Sequence, residues 1–330
     1  MGDVYPVVRV AAVQAASVYL DREASTAKAC DLIREAGRAG AQLIVFPEGF
    51  IPAHPLWYHH HVATGPKSMQ MAAELFLNSV VIPSRETDAL CAAAAEAGAI
   101  VVMGLCEKPV GMMGTMYNSQ LFIGSDGEII AKHRKFMPTV GERLVHAGGF
   151  GDTFGAFPTE FGPMSALICG ENSNPLAICA LAAEGTRIHA MSWPAYLGPQ
   201  SAPLKEIVAM KSRAFAGMAG CFVVSACAAL DETTLQALDL TGEEGARLRD
   251  PGFAGGSVII DPRGRILAGP LTGQEGILYA DCDLAEMVKM KLTQDFAGHY
   301  NRPDIFQLYV NKDGPELYAR YTTHGEDGGE

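Results

Sequence analysis

Three short stretches of the sequence carry groups with complementary chemistry. Glu48 follows Phe46-Pro47 at the end of an apolar run and offers a carboxylate. Lys135 closes the basic run Lys132-His133-Arg134-Lys135, and a second carboxylate, Glu142, follows in Gly141-Glu142-Arg143. Cys169 leaves the apolar Leu167-Ile168 and enters Gly170-Glu171-Asn172, a turn composition. A free thiol is mostly protonated at neutral pH and needs help to act as a nucleophile. A nearby ammonium favours the thiolate, and a nearby carboxylate can take the proton. Each group alone has an ordinary reading. A glutamate after a strand is usually a solvated turn residue, a lone cysteine a packed hydrophobe, and a lysine in a basic run part of a solvated face. Together they describe covalent catalysis by a thiol with an acid–base partner, in which crowding couples the titrations.

The elements that must position these groups alternate between strand and helix. Residues 8–13 read as a strand, and 21–39 as a helix with Asp21 as N-cap and Gly40 as terminator. Residues 42–46 form a strand ending at Glu48, and 84–97 a second helix between Ser84 and Gly98. Residues 100–105 and 119–123 follow as strands, the latter closed by Ser125-Asp126-Gly127. The second half repeats the theme, with strands at 165–168, 187–192 and 221–226 and helices at 175–184 and 203–219. Further strands at 256–261 and 276–281 flank the turn Asp261-Pro262-Arg263-Gly264. This alternation predicts an α/β fold, and strands apolar on both faces predict buried sheets. Glu48, Lys135 and Cys169 then stand beyond strand ends, where open α/β sheets gather reactive groups.

On these blocks the chain resembles the nitrilase superfamily, and within it the true nitrilases. Residues 8–14 with Phe46-Pro47-Glu48-Gly49-Phe50-Ile51-Pro52 look like its N-terminal strand and glutamate segment. HRKFMPTVGERLV (133–145) looks like the lysine segment with the second glutamate, and LICGEN (167–172) like the nucleophile elbow. AGGSVIIDPRGRILAGP (254–270) and DFAGHYNRPDIF (295–306) agree with less force. The resemblance implies a four-layer αββα sandwich. It also implies Cys169 as nucleophile, Glu48 as general base, Lys135 as electrostatic partner and Glu142 as auxiliary carboxylate. The implied reaction is hydrolysis of a small organic nitrile to the acid and ammonia through a thioimidate and a thioester. No cofactor is implied. Relatives associate, so a homodimer or higher homo-oligomer is expected.

The chain departs from that pattern at two places. Gly170 and His146 stand where nitrilases commonly carry tryptophan, which predicts a roomier or differently shaped pocket, with hydration to the amide as a side reaction. Trp57, Tyr58, Trp193 and Pro194 are further substrate-side candidates, and Arg134 and Asn172 brace the site. His59, His60 and His61, with His54 nearby, raise the question of a metal. Consecutive residues point in different directions, so no metal site is expected.

The rest of the sequence bounds the reading. At 330 residues and 48% apolar composition the chain can bury a large core, and it reads as one domain over 1–310 with a tail at 311–330. The acid-rich end from 322 to 330 reads as disordered, and 231–251 as a loop or lid. A net charge of -12 argues against nucleic acid as partner. No apolar run is long enough for a membrane span. The eight scattered cysteines form no CxxC pair and suit a reduced, cytoplasmic protein. Cys169 is expected to react with iodoacetamide ahead of the other seven, mostly buried, thiols. Related chemistries that share the Glu, Lys and Cys logic are aliphatic amide and N-carbamoyl amino acid hydrolysis. An inactive scaffold is the non-enzymatic alternative, disfavoured because all four ionisable groups are retained.

Overall fold

The computed structural model describes residues 5–199 and 201–315. Among the described residues twelve strands form two six-stranded sheets. The first contains β1 (Val7–Gln14), β2 (Leu43–Val45), β3 (Ile100–Glu107), β4 (Tyr117–Ile123), β5 (Ile129–Arg134) and β12 (Gly276–Asp283), in the order β12-β1-β2-β3-β4-β5. The second contains β6 (Ala156–Phe157), β7 (Met164–Ile168), β8 (Ile188–Trp193), β9 (Phe222–Cys227), β10 (Gly255–Ile260) and β11 (Ile266–Thr272), in the order β11-β10-β9-β8-β7-β6. In each sheet three central strands run parallel, β1-β2-β3 and β7-β8-β9, and the outer strands join antiparallel.

The two-residue period of a strand sorts the core into layers. Val8, Val10 and Ala12 of β1, Leu43 and Val45 of β2, and Ile100 and Val102 of β3 point between the sheets, onto Ala166, Ile168, Ala190 and Val224. The alternate residues Ala11, Val13, Ile44, Val101 and Met103 point outward. There they meet Ala29, Ile33, Leu90 and Ala94 of α1 (Arg22–Arg38) and α3 (Arg85–Ala97). On the other side, α4 (Pro175–Ala183) and α5 (Leu204–Ala219) cover the second sheet through Ile178, Leu181, Val208 and Phe215. The result is the αββα sandwich that the motifs imply.

The predicted caps hold. Asp21 accepts from Ala24 N at 2.9 Å, and Gly40 and Gly98 take positive φ where α1 and α3 end. α2 (Pro66–Asn78) and the short β6 are additional to the expected elements, β5 is the strand whose end Lys135 is expected to follow, and β11 is the expected return of the chain. Residues 231–251, expected as a loop or lid, instead form α6 (Glu232–Ala237) and α7 (Gly242–Leu248), with Asp231 capping α6 by accepting from Thr234 N at 2.8 Å. α8 (Ala285–Lys291) closes the regular structure. Residues 311–315 are exposed without helix or strand, and the acidic end expected at 322–330 lies outside the described residues. Among the described residues no helix is long and apolar enough to cross a membrane.

Candidate active site

β2 stops at Val45, and the chain runs through Phe46-Pro47 into a turn that presents Glu48. Two features hold this turn between the sheets. Glu48 N–H donates to Trp193 O at the end of β8, 3.2 Å away, and Phe46 O accepts from Ser192 Oγ at 2.8 Å. The approach to β3 requires Gly104, because a Cβ there would sit 1.9 Å from Pro47 O. Lys135 follows β5, and its N–H donates to Asn118 O of β4 at 2.8 Å. Glu142 lies in a 3-10 turn, Val140–Leu144, and its Oε2 accepts from Thr139 N–H at 2.9 Å, which turns the carboxylate back toward Lys135.

The three side chains meet in a buried cluster. Lys135 Nζ donates to Glu48 Oε1 at 2.7 Å and to Glu142 Oε2 at 2.6 Å, and each of the three residues is 1% exposed. Asn118 Nδ2 donates to Glu48 Oε1 and to Glu142 Oε1, both at 2.7 Å. His146 Nδ1 donates to Glu142 Oε1 at 3.2 Å. Two carboxylates thus share one ammonium and one carboxamide.

Burial and the Glu142 charge raise the Glu48 carboxyl to about 7, against the pull of Lys135. Burial acts the same way on Glu142, but Lys135 and His146 outweigh it and hold that acid well below the usual carboxylate range. Lys135 stays firmly charged, because Glu48, Cys169 and Glu142 outweigh its burial. One acid is therefore poised near neutrality and the other is fixed as an anion.

Cys169 begins a 3-10 turn, Cys169–Ser173, directly after β7, with a left-handed φ of 51°. A non-glycine residue in that region is uncommon and is held there by its surroundings. Glu171 supplies part of the hold, accepting from Ile168 N at 2.9 Å, Phe136 N at 2.8 Å and His133 Nε2 at 3.0 Å. The Phe136 bond ties the elbow to the residue after Lys135. Asn172 Nδ2 donates to Cys169 O and Leu167 O at 3.0 and 3.2 Å, and its Oδ1 accepts from His189 Nε2 at 2.8 Å. Burial, with Glu48 beside it, pushes the Cys169 thiol well above its ordinary value despite Lys135. The resting group is a thiol, and its proton must leave during attack.

The other candidates are distributed around this core. Arg134 braces from outside, with Nε and Nη2 donating to Glu107 at 2.9 and 2.5 Å. Trp57 and Trp193 are buried, and the Trp193 indole nitrogen has no hydrogen-bond partner among the described residues. Pro194 is buried after Trp193, and Tyr58 is half-buried with its hydroxyl 3.0 Å from His54 Nε2. A Cβ on Gly170 would come within 3.3 Å of Thr139 Oγ1, so a larger residue there needs that side chain to move. The cavity reaching Glu48 measures about 20 Å³ and is lined by Tyr19, His54, Leu56, Ala195 and Leu230 among others. Where an indole was missed, His146 fills the space and binds Glu142 instead.

His59, His60 and His61 diverge, as adjacent residues do. His59 packs on Tyr58, His60 meets Tyr196 Oη, and His61 Nε2 bonds Leu238 O at 3.1 Å. Among the described residues one set could converge on an ion, Glu48, His54 and Glu142, with ligand atoms within 4.8 Å of one another. Lys135 already gives both carboxylates the positive charge that an ion would bring.

The sequence reading missed Asn118, Glu171 and the placing of His54 beside Glu48. Asn118 carried no distinguishing signal, since it stands beside Ser119 and Gln120 at the polar start of β4. The thiol ranking is also corrected. Cys179 is exposed and Cys91 partly so, whereas Cys169 is buried.

Residues 9–292 match the family described as carbon–nitrogen hydrolase. The chain is 38% identical over 310 residues to "Nitrilase 2" of an unknown prokaryotic organism, covering 91% of each chain. It is 37% identical to an "Aliphatic nitrilase" of Sinorhizobium fredii, covering 92% of this chain and 96% of that one. A "Bifunctional nitrilase/nitrile hydratase" of Lupinus angustifolius is 36% identical, over 96% and 90% of the two chains. In fold, it is similar to a carbon–nitrogen hydrolase from Helicobacter pylori with a TM-score of 0.70 at 20% identity, covering 91% and 97%. Nit3 of Saccharomyces cerevisiae gives 0.67 at 21%, covering 90% and 98%.

Proposed function

The chain belongs to the carbon–nitrogen hydrolase family, and on that premise we propose that it is a nitrilase, converting an organic nitrile and water to the carboxylic acid and ammonia. The observation that carries the mechanism is the buried Glu48–Lys135–Glu142 cluster beside a cysteine on a strained elbow.

Cys169 is the nucleophile in this reading. Its proton passes to Glu48, whose carboxyl near 7 suits both taking and returning a proton. Sulfur adds to the nitrile carbon, and the nitrogen is protonated through Glu48, giving a thioimidate. Water, losing its proton to Glu48, adds to the thioimidate, and the tetrahedral species expels ammonia to leave a thioester. A second water forms the acid and frees the thiol. Lys135, with the Gly170 N–H, stabilises the negative charge that develops on the reacting centre. Glu142 keeps Lys135 charged and in place. Trp57, Tyr58, His146, Trp193 and Pro194 form the substrate-side wall. Release of amide instead of acid is the second reading, favoured by the bifunctional Lupinus angustifolius relative.

The enzyme is placed in the cytoplasm as one domain over residues 1–310, without cofactor, and as a homodimer or higher homo-oligomer. Support for assembly comes from exposed apolar side chains on and beside α4 and α5, including Leu176 at 62%, Met210 at 61% and Phe306 at 73% exposure.

The test is product analysis on aliphatic, aromatic and arylacetonitriles with the matching amides, with Cys169→Ala as blank. Acid and ammonia from nitriles, with a silent blank, are expected. Turnover of amides alone would move the enzyme to the amidase branch, and an active blank would remove Cys169 from the mechanism.

A further inference from the structure

His54 has no part in the chemistry assigned above, yet it lies against the proposed base. Its side chain is 6% exposed and shares with Glu48 the lining of the narrow cavity. Its Nε2 lies 3.0 Å from the Tyr58 hydroxyl. Among the described residues its Nδ1 is buried without a hydrogen-bond partner, 3.7 Å from Glu48 Oε1, and Glu48 Oε2 is likewise buried and unpartnered.

The tautomer follows from these contacts. Burial holds the ring neutral by lowering its pKa to about 3, so one ring nitrogen carries a proton and the other a lone pair. A lone pair on Nδ1 would face a carboxylate and be repelled. Nδ1 is therefore the N–H, and Tyr58 donates its hydroxyl hydrogen to Nε2. His54 is a neutral imidazole fixed by Tyr58, with its single N–H directed toward the base.

At 3.7 Å an N–H and a carboxylate oxygen are too far apart for a direct hydrogen bond. Oε1 already accepts from Lys135 and Asn118, so Nδ1–H and Oε2 of the same carboxylate are the two groups left short of a bond, which one shared water could supply. We propose that His54 is a positioning residue which, together with Glu48, holds the hydrolytic water against the carbon bound to Cys169. Nδ1–H donates to the water oxygen, one water hydrogen is donated to Glu48, and a lone pair is left for attack. At the thioester stage this lone pair forms the C–O bond while the water proton moves to Glu48. The C–S bond then breaks, the acid leaves, and the Glu48 proton returns to sulfur. The same seat serves water addition to the thioimidate. The cation alternative is weaker, because the Lys135 ammonium already bonds both carboxylates that an ion would need.

The inference rests on the covalent mechanism above, and its test separates from that of the nitrilase reading. The assay uses whichever substrate, nitrile or amide, the wild-type protein converts. Product identity judges the nitrilase reading, and the state of Cys169 judges His54. His54→Phe keeps a ring but removes both nitrogens. It is expected to consume about one equivalent of substrate per subunit and then turn over about 10²-fold more slowly than wild type. Intact-protein mass should show substrate bound covalently, and the adduct should vanish in the Cys169→Ala double variant. His54→Asn, whose carboxamide nitrogen can replace Nδ1, is expected to restore hydrolysis in part and clear the adduct. A merely structural role predicts instead that substrate consumption and hydrolysis fall together, with no adduct and no rescue. That outcome, or wild-type turnover in His54→Phe, overturns the proposal. His54→Ala, which adds no bulk, is read in the same way if the phenylalanine variant fails to fold.

Discussion

Glu142→Gln offers a direct probe of how the buried cluster sets the base. The substitution keeps the size of the side chain and an oxygen for Thr139 N–H, but removes one negative charge. That charge is one reason the Glu48 carboxyl stands at about 7, after burial itself. The two carboxylates approach within 4.8 Å, and at an effective dielectric constant of about 20 their repulsion is about 3 kcal/mol, or about 2 pH units. Removing a negative neighbour favours the carboxylate form of Glu48, so its pKa falls. In the proposed reaction that form accepts the thiol proton, so the acid limb of kcat/KM moves to lower pH, from near 7 toward 5. The height of the profile is a poorer guide. At pH 7 wild-type Glu48 is about half ionised, so fuller ionisation yields at most about twofold, while a less firmly held Lys135 costs rate. The assay is initial rate against pH at low substrate, with the wild-type protein alongside. An acid limb that stays in place, or moves upward, would refute the assignment of Glu48 as a base tuned by Glu142.

Two further expectations test burial. Iodoacetamide at neutral pH should modify Cys179 first, since Cys179 is exposed while Cys169 is buried with a raised pKa; peptide mapping over time reads this directly, and prior loss of Cys169 would contradict it. Stability should fall on acidification, because unfolded His54 and His189 take protons near 6.5 that burial denies them in the fold. Each contributes a loss of about 1.4 kcal/mol per pH unit below that point, which continues for His54 down to about 3. Glu48 acts in the opposite sense, gaining its proton at about 7 in the fold and at 4.5 when unfolded, so it offsets one histidine in that interval. Below 4.5 the offset ends and Glu142, depressed in the fold, adds to the loss. His59 and His60, lowered by burial to about 4, add to the loss above that point, so urea midpoints should decline continuously from pH 6.5, and a flat profile would refute the accounting.

The sequence made the strands and caps of the layers legible because their signals are local. The alternation of Val8, Val10 and Ala12 with Ala11 and Val13, the Ser84 cap and the Gly98 stop each depend on neighbours in the chain. The helices of 231–251 were harder to read, because each is short and they are separated by turn-like residues, whereas α2, with Pro66 at its start and a continuous run of helix formers, was legible and passed over. The four ionisable groups of the site were legible by residue type and family pattern. Their partners were not, since Asn118 lies far from both Glu48 and Glu142 in sequence and becomes a ligand to them only when β4 passes between β3 and β5. Gly104 is similar, because its need for a missing Cβ arises from Pro47, a contact between distant segments. His146, at one of the substituted tryptophan positions, is likewise a partner that the sequence does not display, since its ring turns onto Glu142.

The choice of Asn118 as the second donor also bears on catalysis. Two buried carboxylates with one ammonium leave an excess negative charge, which burial makes costly. A second cation at position 118 would relieve that cost and bind both oxygens equally well. It would also lower Glu48 further, as Lys135 already does, until a proton taken from Cys169 could no longer be held. A carboxamide satisfies the oxygens without supplying charge, so the excess stays in the cluster as proton affinity. That affinity settles on Glu48, since Glu142 holds Lys135 and His146 more closely. With the Cys169 thiol raised by the same burial, donor and acceptor are brought toward each other in acidity, the condition for moving a proton between them during attack.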